Sequence, residues 1–76
     1  MSTSAIVTKT TTITGHSDAG IEDAIKAALE RAEMTINDVQ AFEVRKIDGV
    51  ASADGDWTFR VQIDVTFVVK EKFLHE

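Results

Sequence analysis

The chain has 76 residues and a mass of 8.3 kDa, room for one small domain and no second. With 43% apolar and 28% charged residues and no Pro, it has the composition of a soluble globular chain and not of a disordered one. Eight basic against thirteen acidic residues leave a net charge of −5, which argues against a phosphate backbone as the main partner, and the lack of any Cys excludes disulfides, thiolate zinc sites and Cys nucleophiles together.

In chain order, residues 5–13 read as a strand, with Ile6, Val7 and Ile13 set among Thr8, Thr10, Thr11 and Thr12. β-Branched side chains suit a pleated surface and lose rotamer freedom in a helix. Gly15-His16-Ser17-Asp18 then punctuates the chain, with Ser17 or Asp18 expected to cap a following helix. That helix is predicted over about 18–34: Ile21, Ala24, Ile25, Ala28, Leu29 and Ala32 make one apolar stripe at helical spacing. Glu22, Asp23, Lys26, Glu30, Arg31 and Glu33 take the other side, and Glu22 and Lys26 form a favourably oriented i,i+4 pair.

A connector over 35–38 leads to a second strand at 39–50, whose apolar members are Phe42, Val44 and Ile47. Residues 51–56 form a turn with Gly55 free to take positive φ. The third strand, 57–69, alternates strictly, with Trp57, Phe59, Val61, Ile63, Val65, Phe67 and Val69 on one face. The expected fold is α+β in the order β-α-β-β: a three-stranded antiparallel sheet partly wrapping one helix, in a single domain.

A thirteen-residue strand runs roughly 43 Å and a seventeen-residue helix only about 25 Å, so one helix cannot cover that strand's apolar face. A three-stranded sheet also leaves two edges open. Both point to identical copies as the covering partners. No stretch is long and apolar enough to span a bilayer, and the first residues lack a signal-peptide pattern, so the expected compartment is the cytoplasm.

These residues resemble the dodecins, a family of small flavin-binding proteins that assemble as hollow dodecamers. The likeness rests on Gly15-His16-Ser17, on Gly20-Ile21-Glu22-Asp23-Ala24-Ile25 running on through Ala28-Leu29-Glu30-Arg31-Ala32, on Phe42-Glu43-Val44 through Gly49, and on Phe59-x-Val61-x-Ile63-x-Val65-x-Phe67. The resemblance implies a homododecamer that binds and stores a small ligand, FMN or riboflavin, and is not an enzyme. It also implies a Trp that stacks on the flavin and a Gln that hydrogen-bonds it. Here those two cofactor-binding positions hold Ala41 and Arg60, so the site is expected to be atypical and its hold on flavin weakened. Because family members without that Trp include calcium binders, the alternative is a calcium-binding or purely structural shell without flavin.

Five acidic residues are the metal candidates: Asp48, Asp54 and Asp56 bordering the hairpin turn, and Glu43 and Asp64 at polar strand positions. The ordinary reading of the first three is solvated turn residues, although a symmetry axis would multiply any one of them. Arg60, Arg45 and Lys46 suit an ion-pair network with Glu43 and Asp64. The sharper reading is that Arg60 grips an anionic ligand such as a phosphate. His16 and His75 stand isolated, and no catalytic triad, phosphate loop or His pair is present.

Overall fold

The computed structural model describes residues 5–69, and along them the chain forms β1 (Thr8–Ser17), α1 (Ile21–Thr35), β2 (Val39–Ala51) and β3 (Trp57–Val68). The sheet order is β1-β3-β2, antiparallel throughout, so the last strand among the described residues is the middle one. His75 lies outside the described residues.

The strict alternation of β3 decides which face is covered. Val61, Ile63 and Val65 are fully buried, and against them pack Ala24, Ala28 and Ala32, one side of α1. Those six side chains are the buried core among the described residues, with Ile13, Ile25, Leu29, Ile36 and Val39 half-buried around it. The three alanines let the helix lie close to the sheet. Ile21, at the start of the same stripe, is left 40% exposed.

β1 differs from the sequence expectation at both ends. It begins at Thr8 instead of residue 5 and continues through Gly15, His16 and Ser17, which pair in register with Val61, Arg60 and Phe59. Gly15 is therefore no turn residue. It sits in the strand because α1 crosses there: a Cβ at Gly15 would lie 2.0 Å from the Ala24 carbonyl oxygen. The helix start is corrected too. Gly20 occupies the N-cap with no side-chain cap, because Ser17 and Asp18 precede it. Ser17 serves the loop instead, accepting from the Ala19 N–H at 2.9 Å and donating to Asp23 Oδ2 at 2.7 Å. Asp23 in the first turn still meets the positive end of the helix.

β2 carries two bulges, where Gln40 and Arg45 have no counterpart on β3. Each extra residue resets the alternation. As a result Val39, Phe42, Val44 and Ile47 all oppose buried-face residues of β3 (Phe67, Val65, Ile63 and Val61), although their spacing is three, two and three. α1 packs on β1 and β3 and barely reaches β2. Phe42, Val44 and Ile47 remain 44, 37 and 49% exposed. The fifteen-residue helix is about 22 Å long and the thirteen-residue β2 about 43 Å, so the β2–β3 hairpin overshoots its cover. Trp57, 58% exposed, stands on that overshoot beside Gly49.

Candidate ligand-binding site

The face of the sheet turned away from α1 is polar, and register fixes what stands beside what. One row across the three strands is His16, Arg60 and Asp48; the next is Thr14, Gln62 and Lys46. Together they line a shallow cavity of about 320 Å³. Arg60 donates from Nε to Asp48 Oδ1 and from Nη2 to Asp48 Oδ2, both at 2.7 Å, a two-pronged clasp. Lys46 Nζ lies 3.8 Å from Asp48 Oδ2. The hydrogen bonds from Arg60, and after them the charges of Arg60 and Lys46, hold the Asp48 carboxyl below its ordinary value, and the same hydrogen bonds raise Arg60 above its own.

Farther along this face, Glu43 and Asp64 are register partners. Asp64 accepts from Thr12 Oγ1 at 2.6 Å, and the bulged Arg45 reaches Asp64 at 3.5 Å and Glu43 at 4.0 Å. Ala41 pairs with Thr66, whose hydroxyl meets that of Thr10 at 3.3 Å.

The sequence-derived candidates thus divide. Ala41, Arg60, Glu43, Asp64 and Asp48 share the outer face of the sheet. Asp48 lies within β2, apart from the turn, and its partner is Arg60. This corrects both the grouping of Asp48 with Asp54 and Asp56 and the pairing of Arg60 with Glu43 and Asp64. Asp54 and Asp56 belong to the hairpin turn. There Ser52 Oγ donates to Asp54, the Ser52 N–H donates to the Asp56 carbonyl at 2.7 Å, and Gly55 takes φ 92°. The Ser52 hydrogen bond, with backbone N–H groups of the turn, lowers the Asp54 carboxyl. His16 and Gln62, members of the cavity, carried no motif in the sequence; only the strand register reveals them.

A family model, Dodecin, matches residues 7–70. The chain belongs to the dodecin family. A curated Dodecin from Thermus thermophilus is 37% identical over 65 residues, covering 86% of this chain and 94% of that protein. The crystal structure of the tt0972 protein from Thermus thermophilus superposes with a TM-score of 0.82 at 35% identity, covering 90% of this chain and all of that one. A calcium-chelating dodecin from Mycobacterium tuberculosis, described with a novel calcium-binding site, gives a TM-score of 0.77 at 27% identity, over 92% and 97% of the two chains. Membership makes this a small-ligand binding protein of an oligomeric family and not an enzyme. No helix among the described residues is long and apolar enough to cross a membrane.

Flavin fits the outer face of this dodecin poorly. Phe42, Phe59, Phe67 and Trp57 all take positions on the helix side of the sheet, so no Phe or Trp among the described residues stands beside Ala41 to stack on a planar ring. The face does supply hydrogen-bonding groups in Thr14, Gln62 and Arg60. For a metal, no three His, Asp or Glu side chains converge among the described residues of one chain. Glu43 and Asp64 would have to meet carboxylates of other copies, and Arg45 competes for both.

Proposed function

We propose that this dodecin forms a closed homododecamer in the cytoplasm that binds and stores a small ligand of the flavin class, riboflavin or FMN, on the outer sheet face around Ala41 and Arg60. Binding is weaker than in a site with an aromatic platform, because one stacked ring contributes about 0.5–1.5 kcal/mol beyond its area and Ala41 contributes none. The observation that carries assembly is the uncovered apolar run Phe42, Val44 and Ile47 on the helix side of β2, continued by Trp57. A core of six buried side chains supports a lone copy poorly, and burying that run against neighbours supplies what the core lacks.

Native mass spectrometry tests the subunit number and the bound mass together: twelve copies and a retained flavin are expected. Fluorescence titration with riboflavin and FMN tests the ligand. Quenching at micromolar to millimolar flavin supports the reading, and none in that range overturns its flavin part.

The likeness to a calcium dodecin favours a second reading, a shell that binds Ca²⁺ without flavin. Glu43 and Asp64, adjacent across β2 and β3, are its ligand candidates, repeated around a symmetry axis. Calorimetry with Ca²⁺ separates the two: heat with Ca²⁺ that Glu43→Gln abolishes, with no flavin quenching, selects the second.

A further inference from the structure

The cavity on the outer face has a charge pattern of its own. The chain as a whole carries −5, yet the two rows lining the cavity hold Arg60 and Lys46 against the single carboxylate Asp48, with His16 at the edge. The local balance of these charges is one positive. Adjacent strands stand about 4.8 Å apart and alternate residues about 7 Å, so the patch framed by these six side chains is roughly 10 by 7 Å. That is the footprint of one phosphate or carboxylate group with a short attachment. Gln62, next to Lys46 across the strands and on the same strand as Arg60, adds an uncharged donor beside both cations, and Thr14 adds a hydroxyl at the β1 side, an arrangement that fixes an oxyanion's orientation.

The Asp48–Arg60 clasp shows what such a group would do there. A carboxylate already takes the Nε and Nη2 fork of Arg60 in the two-pronged geometry suited to carboxylates and phosphates. It is the chain's own. Three N–H groups of the guanidinium remain, and Lys46 Nζ, at 3.8 Å from Asp48, is not committed to a short hydrogen bond with it.

We propose that this cavity is an oxyanion site for the phosphate or carboxylate group of a small ligand, and that Asp48 is its built-in competitor, holding Arg60 until a ligand group displaces it. The inference rests on the reading of this face as the ligand-binding one and adds the chemistry recognised there: a compact oxyanion held by Arg60, Lys46 and Gln62, with Asp48 setting how strongly it must bind. Displacement leaves Asp48 beside Lys46, so its charge is not stranded. A ligand of two or three negative charges gains more from the exchange than one of a single charge.

Calorimetry with inorganic phosphate and, separately, acetate, at ionic strength held constant with chloride, tests this on the assembled protein. Saturable phosphate binding is expected, about tenfold tighter in Asp48→Asn, which keeps the shape and removes the competing charge, and about tenfold weaker in the exposed-site variant Lys46→Ala. Acetate binding alongside phosphate assigns the site to oxyanions in general, and phosphate binding alone assigns it to phosphate-bearing ligands. Equal phosphate affinity in wild type and Asp48→Asn, or no saturable heat in either, overturns the proposal. Riboflavin carries no phosphate, so its quenching reads the flavin assignment separately. Quenching by riboflavin without phosphate binding sinks this inference alone, and the reverse result sinks the flavin assignment alone.

Discussion

Gly15 of β1 and Ala24 of α1 meet so closely that the missing side chain of one makes room for the backbone of the other. A Cβ on Gly15 would lie 2.0 Å from the Ala24 carbonyl oxygen and 3.1 Å from the Ala28 Cβ. Nothing flexible stands there to give way. Gly15→Ala is therefore expected to push α1 off the sheet and to destabilise the fold by about 3 kcal/mol, at the upper end of overpacking effects. Gly49→Ala is the control. Its Cβ would meet the Thr58 carbonyl at 3.6 Å and the Trp57 ring at 3.9 Å, ordinary contacts, so a change within about 0.5 kcal/mol is expected. Denaturant titration of both variants at equal concentration checks the pair.

The uncovered run on β2 gives a second prediction. Ile47→Asp places a charge in the middle of the surface that neighbouring copies would cover, while the residue is already 49% exposed in the single chain. The variant should keep its secondary structure by circular dichroism and shift to smaller species in sedimentation. A variant that sediments like the wild type would show that another surface joins the copies.

Ala41→Trp is expected to tighten flavin binding by about two- to tenfold and to deepen fluorescence quenching, through the stacking that the outer face lacks. Riboflavin titration of the two proteins side by side measures it. An unchanged titration would mean that Arg60 and Asp48 close this face to the ring whatever stands at position 41.

Asp48 gives the fold an acid-sensitive component. Its folded carboxyl titrates below the ordinary 3.8, so the unfolded chain binds more protons in the interval between the two values. The stabilisation is fully present above pH about 4 to 5 and is lost as the pH falls through the folded value. The groups facing Asp48 are Lys46 on its own strand and Arg60 on β3, with His16 beyond Arg60 on β1. Stability measured against pH should separate wild type from Asp48→Asn above pH 5 and bring the two together well below 3.8. Asp54, also lowered, titrates in the same region in both proteins and cancels in the comparison.

The turn is the last test. Gly55 at φ 92° holds a conformation that costs a side-chain-bearing residue about 1–2 kcal/mol, so Gly55→Ala should lower stability by that amount, with assembly and ligand binding unchanged. A melting curve beside a sedimentation run reads both.

The core was legible in the sequence because its residues obey one period. Val61, Ile63 and Val65 follow from alternation, and Ala24, Ala28 and Ala32 from helical spacing. What was hidden lies where two elements meet. Gly15 looks like punctuation in the chain, and only the close crossing of α1 explains why a glycine stands inside a strand. The bulges at Gln40 and Arg45 break the pattern of β2, so no count along that segment could say which side chains share a face. The partner of Arg60 was hidden for a different reason, since Asp48 lies on the turn side of both bulges. Asp48 reads as part of the hairpin turn, whereas β2 runs on past it to Ala51 and the unbroken register next to the turn sets it beside Arg60. Ala41 and Arg60 were found by family likeness, whereas His16 and Gln62 become neighbours of the site only through strand pairing.

The order β1-β3-β2 also shapes how a new copy is made. On the ribosome, β1, α1 and β2 emerge before the strand with which both β1 and β2 must pair. Until β3 arrives, the alanine stripe lacks the Val61, Ile63 and Val65 row that completes the core, and neither flanking strand has a ladder. Folding of each copy is thus held back until β3 has been made, and a chain cut within β3 is left with three elements and no complete sheet to join them.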